Sequence, residues 1–96
     1  MKYIAFCEYD LKDFDKVLEK FRQAMAEREK GTGKFPKQLF PAHCLGGLPK
    51  VIVILENPTE EQLNNLIAHY IPEMKIELVP LLDAETFIPT YMKMKK

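Results

Sequence analysis

Hydrophobic positions change period along this chain, and the changes mark its elements. KYIAFCEY, residues 2–9, is rich in aromatic and β-branched side chains and predicts a first strand. From Leu11 the period becomes helical: Phe14, Val17, Leu18, Phe21 and Met25 recur at three and four. Asp10 or Asp13 stands ready as N-cap, Arg28 and Lys30 occupy the last turn, and Gly31 stops the helix. KGTGKFPK, residues 30–37, is a loop by its glycine and proline; QLFPAHC, residues 38–44, predicts a second strand, and LGGLP turns the chain back. VIVILE, residues 51–56, is a third strand whose unbroken apolar run calls for burial on both faces. NPTEEQ then supplies an Asn cap, Pro58 near the first turn and the capping-box spacing of Thr59 and Gln62, ahead of a stripe of Leu63, Leu66, Ile67 and Tyr70 that Pro72 closes. MKIELVPLL, residues 74–82, is the fourth strand, and residues 83–96 form an extension with room for one short helix before Pro89.

The order is therefore βαββαβ. Right-handed crossovers on either side of a hairpin give a split-βαβ sheet of strand order 4-1-3-2, antiparallel or mixed, with the first and third strands expected to be parallel neighbours and two helices on one face. The prolines agree with this order, because a sheet interior rejects proline and an edge tolerates it. Pro41 falls in the second strand and Pro80 in the fourth, while the first and third contain none.

Alternation splits each central strand into two faces. Ile4, Phe6 and Glu8 oppose Tyr3, Ala5, Cys7 and Tyr9; Ile52, Ile54 and Glu56 oppose Val51, Val53 and Leu55. Both faces are apolar in the middle, yet two crossover helices cover only one of them. The other would leave an apolar patch of roughly several hundred Å², more than soluble monomers usually expose. A homodimer through the sheet face is the expected remedy.

Ninety-six residues make one domain, residues 1–96, in which about 60 to 70% of the unfolded surface is buried. Fourteen basic and fourteen acidic side chains cancel, so no broad positive field draws the chain to nucleic acid. Lys93, Lys95 and Lys96 form the one basic run, read as a solvated terminus. Only five uncharged residues separate Lys2 from Glu8, too few for a signal peptide, and no apolar run reaches the ~20 residues of a membrane span. Cys7 and Cys44 lie far apart among apolar residues, which suits reduced, buried thiols in a cytoplasmic protein.

The chemistry-bearing candidates are few. His43 and Cys44 adjoin a double glycine, but neighbours on a strand point to opposite faces and do not clasp one ion unless a bulge separates them. If Leu45 pairs with Lys50, His43 lies opposite Ile52 and Leu39 opposite Glu56. His43 then shares a face with Ile52, Ile54 and Glu56, and either lines a pocket there or stands as an edge histidine satisfied by water or a carbonyl. Glu8 and Glu56 each end a strand just before a capped helix; as neighbours on parallel strands, one would raise the other's pKa and supply a proton acceptor. The plainer alternative leaves both in water. Tyr3, Tyr9 and Tyr70 are aromatic core or a pocket border, and His69 falls off the apolar stripe of its helix, as a solvated position would. GTGK, residues 31–34, lacks the strand before it and the Ser or Thr after it that a phosphate loop needs. His43, Glu8, Glu56 and Tyr9 are thus the ligand-binding candidates, with no catalytic residue assigned, no metal set and no cofactor.

YIAFCEY at the start, VILENPTEEQ in the middle and IELVPLL near the end, set in a βαββαβ chain with two apolar sheet faces, resemble the dimeric α/β barrel superfamily of ferredoxin-like domains, and within it a group of small uncharacterised proteins. The resemblance spans nearly the whole chain. It implies a twofold barrel with a pocket between sheet and helices or near the dimer interface. Relatives of that superfamily include cofactor-independent monooxygenases, haem-degrading enzymes and lactone isomerases. The haem-degrading members are similar to one another in an Asn, Trp and His set, and this chain has no Trp and no Asn in its first strand. Two functions follow as expectations. One is a homodimer that binds a small, partly apolar molecule; the other is a cofactor-independent monooxygenase or isomerase on a small aromatic or enolisable compound, with His43 or Glu8 moving a proton.

Overall fold

The computed structural model describes residues 1–95; Lys96, the last member of the basic run, lies outside the described residues. The chain runs β1 (Lys2–Tyr9), a 3-10 turn (Leu11–Asp13), α1 (Phe14–Lys30), β2 (Lys37–Cys44), β3 (Lys50–Glu56), α2 (Glu60–Tyr70), β4 (Met74–Leu81) and α3 (Ala84–Met94). The four strands form one sheet in the order β2-β3-β1-β4, a ferredoxin-like α+β fold with the two proline-bearing strands at its edges. Each pairing is antiparallel, β1 with β3 included, which corrects the parallel neighbours expected above. The reason is topological. The α1 crossover returns β2 in the direction of β1, the hairpin reverses the chain, and β3 must then run against β1.

The helix-side face of the sheet carries the core. Ala5, Cys7, Val53, Leu55 and Met74 from the strands meet Val17 and Ala24 of α1 and Leu66 and Tyr70 of α2. In α1 the buried positions are Val17 and Ala24, while Met25 is 43% exposed, so the inner edge of the stripe passes through the smaller residue. Gly31 adopts φ +68°, the left-handed end that lets its N–H reach the Glu27 and Arg28 carbonyls.

Thr59, not Asn57, caps α2. Its hydroxyl accepts from Gln62 N at 3.1 Å, and Gln62 Oε1 accepts from Thr59 N at 3.0 Å, the reciprocal box the sequence spacing predicts. Gln62 Nε2 also donates to the Gly33 carbonyl and Asn65 Nδ2 to the Lys34 carbonyl, which fastens the loop before β2 onto α2. Thr59→Ala is expected to cost about 1 kcal/mol, a fall in Tm of roughly 4–8 °C for a domain this small. Thermal unfolding followed by circular dichroism checks it; an unchanged Tm would mean the box contributes nothing.

β2 is irregular. His43 pairs with Ile52 and Cys44 with Val51, as the turn predicts, but Lys37, not Leu39, stands opposite Glu56, because the register slips once between Gln38 and Phe40 and again between Phe40 and His43. Pro41, without an N–H to give the ladder, sits inside the second slip. No slip separates His43 from Cys44, so the pair stays on opposite faces.

The second sheet face is uncovered. Phe40, Ile54, Ile4 and Val79 lie side by side across all four strands, with Ile52 and Phe6 in the next row. Phe6 is 43%, Val79 38% and Phe40 37% exposed. The extension does not shelter them. α3 runs straight through Pro89, past the end expected for it, capped by Asp83 Oδ1 accepting from Glu85 N. Every one of its residues is exposed, with Phe87, Ile88, Tyr91 and Met92 each more than half so. A radius of gyration of 15.7 Å, against about 12.5 Å for a compact chain of this length, fits a helix held away from the body.

Candidate functional site

Between α1 and the sheet lies a cavity of about 190 Å³. It is open to solvent where Phe14 and Cys44 are exposed and reaches inward to Val17, Val53, Leu55, Leu66 and Tyr70 of the buried core. Its wall is apolar: Phe14, Val17 and Phe21 from α1, Leu66 from α2, Val53 and Leu55 from β3, Tyr9 from β1. β2 lines it with Gln38 near its start and with the small Ala42 and Cys44 near its end.

Few polar groups reach it. Tyr70 ends α2 with its ring buried, Gln38 enters from the start of β2 and Arg28 from the last turn of α1. Burial pushes the Tyr70 hydroxyl up to about 12; the Arg28 charge opposes this and Cys7 reinforces it. Burial likewise raises the Cys7 thiol to about 11 and lowers the Arg28 guanidinium, the last partly offset by Tyr70. None of these is a proton acceptor near neutrality. Among the described lining residues there is no carboxylate and no imidazole.

The four candidates read from sequence do not converge. Tyr9 lines the cavity, its ring 6.1 Å from Phe14. His43 is exposed on the open sheet face, stacked on Phe40 at 4.3 Å, with Nδ1 donating to the Pro41 carbonyl at 2.6 Å. Glu8 lies on that face too, directly between Lys50 of β3 and Lys75 of β4, so its charge has cross-strand partners of opposite sign. Glu56 stands at the far end of the sheet opposite Lys37. Antiparallel β1 and β3 put Glu8 and Glu56 at opposite ends, and the carboxylate pair expected from parallel strands does not form.

Cys44 is exposed at the cavity wall, not buried as expected, while Cys7 is buried and both thiols are free. His69, expected in solvent, is half-buried: Nε2 donates to the Lys20 carbonyl at 2.7 Å and the ring lies 5.2 Å from Phe35 and 5.0 Å from Tyr70. Lys20 in turn donates to the Ile71 carbonyl at 3.0 Å and pairs with Glu73, so α1 is tied to the turn after α2 and the cavity's Tyr70 wall is held in place. Tyr70, read from the sequence as aromatic core or a pocket border, lines the cavity, while Arg28 was read only as a last-turn cation. A signal for Arg28 existed: Phe14, Val17, Phe21, Ala24 and Arg28 follow one another at three and four, which places a cation on the apolar stripe.

Among the described residues no group of three or more metal-ligating side chains occurs, and no helix is long and apolar enough to cross a membrane. Comparison of the chain with protein-family models, with curated protein sequences and with solved structures returned no match.

Proposed function

We propose that this protein binds a small, partly apolar molecule in the cavity between α1 and the sheet and acts as a homodimer through its open sheet face. The observation that carries the binding reading is an apolar pocket of about 190 Å³ with a few polar groups at its wall, the usual build of a small-molecule site. Cavities of ~150 Å³ lined by aliphatic and aromatic side chains stay dry and accept benzene, so a ring with a short substituent fits here. Binding is favoured over a monooxygenase or isomerase because the cavity wall offers no base titrating near neutrality. His43 and Glu8 face the opposite side of the sheet, where a second copy would cover them. Two free thiols suit the reducing cytoplasm.

Toluene is the probe of choice for the cavity. Titrated into isotopically labelled protein, it is expected to shift the amide resonances of Val17, Ala42 and Leu55 together, and Ala42→Leu, which extends a side chain into the void, is expected to weaken binding at least tenfold. Shifts scattered over the surface, or none, would remove the binding reading.

A further inference from the structure

Arg28 is the charged side chain at the cavity wall, and among the described residues no carboxylate stands within ion-pair distance of it. Its Nε donates to the Pro36 carbonyl at 3.3 Å, and its Cζ lies 5.8 Å from the Phe35 ring. The stem is thereby fixed, while neither terminal nitrogen donates to any described residue. A guanidinium half-withdrawn from water is ordinarily paired, because taking a charge out of water is costly without a counter-charge. Among the described residues no side-chain nitrogen is both buried and without a partner, so the Arg28 terminal nitrogens are open to a ligand, and an anion is what their charge and fork would hold best. Arg28 and Gln38 are common to the cavity and to an outer depression of about 470 Å³, where Lys37 adds a positive charge and Glu56 a negative one. A molecule seated in the cavity would meet Arg28 at the junction of the two. Glu56 nearby opposes a dianion, and the planar fork of arginine matches the two oxygens of a carboxylate.

We infer that the ligand is a monocarboxylate with an aromatic or compact aliphatic body, its apolar part filling the space under α1 and its carboxylate paired with Arg28 where the cavity opens into the outer depression. Tyr70 and Gln38 are the neutral polar groups available to the same head. This inference rests on the cavity reading above and narrows its ligand class.

The test compares three probes on the full chain: toluene, 2-phenylethanol and phenylacetate. Toluene reports the cavity alone. Phenylacetate is expected to bind at least about tenfold tighter than 2-phenylethanol, since a charge-assisted hydrogen bond outweighs a neutral one by that order. Arg28→Met is expected to remove this preference, read as the ratio of the two affinities within the same variant, and Arg28→Lys, which keeps charge without the fork, to retain part of it. Should Arg28→Met fail to fold, the reduced preference of Arg28→Lys carries the same comparison. Toluene bound, with phenylacetate no tighter than the alcohol or with a preference that survives both variants, would overturn the carboxylate while sparing the cavity. Phenylacetate bound in an Arg28-dependent way without toluene would spare the carboxylate and refute the apolar cavity, and neither bound removes both.

Discussion

In the proposed sheet-face homodimer of twice 11.2 kDa, Ile54→Glu is expected to leave a folded monomer, with a dissociation constant raised at least about a thousandfold. Ile54 sits in the second strand from the β2 edge, between Phe40 on one side and Ile4 on the other. Its side chain faces away from the core. In a twofold, self-complementary interface the substitution enters twice, and each unpaired carboxylate buried against the partner costs about 2 kcal/mol or more. The pair together gives the thousandfold. The rows flanking the apolar centre favour a second copy over a charged partner. Glu8 lies between Lys50 and Lys75, and Glu77 lies opposite Phe6 in the next row, so the rim carries both signs and can meet itself. Light scattering across a concentration series measures the change, and circular dichroism confirms that the variant stays folded. A second variant truncated after Leu82 asks whether α3, whose Phe87 and Tyr91 stack at 6.4 Å with both rings exposed, lies on the partner as well. A wild-type protein that is monomeric at high concentration would end the proposal.

The elements and the strand order were legible because their signals are local or combinatorial. Period distinguishes KYIAFCEY from the helix after it, the reciprocal box of Thr59 and Gln62 marks a helix start to the residue, and proline picks out the two edge strands. Strand direction was misread at β1 and β3. That error passed directly into the site, since Glu8 and Glu56 were placed together by a rule that holds for parallel sheets. Leu39 was misplaced for another reason. The register slips around Pro41 depend on how an edge strand bends, which no count from the hairpin turn contains. His69 shows the same limit: its exposure followed from the stripe of α2, but its burial comes from Phe35 in a loop fastened across that helix. The cavity was not legible, because its shape is a property of facing side chains from six elements and not of any one. Tyr9 reached it through strand alternation; Arg28 had the right spacing but read more simply as the cation that complements a helix end.

Above pH 9 the fold is expected to lose stability steeply, by about 3 kcal/mol for each of two groups. Burial holds the Cys7 thiol near 11 against an ordinary value of 9.0, and the Tyr70 hydroxyl near 12 against 10.0. For Tyr70 the Arg28 charge pulls the other way and the Cys7 charge adds to the rise. Both groups are neutral when protonated. Between pH 9 and 11 the unfolded chain releases the thiol proton while the folded protein keeps it, so the unfolded state binds fewer protons and stability falls as pH rises. The phenol repeats this from pH 10 to 12. At about 1.4 kcal/mol for each pH unit of displacement, the contributions are fully present below pH 9 and gone above pH 12. Their sum is comparable with the whole stability of a small domain, which places alkaline unfolding inside that window. Urea midpoints measured from pH 7 to 11.5 resolve the slope. Cys7→Ala is expected to start about 1 kcal/mol less stable for the lost packing yet to stay level until pH 10, and Tyr70→Phe to flatten the upper half of the curve. A wild-type midpoint constant through pH 11 would mean that neither group is held from water as the core geometry requires.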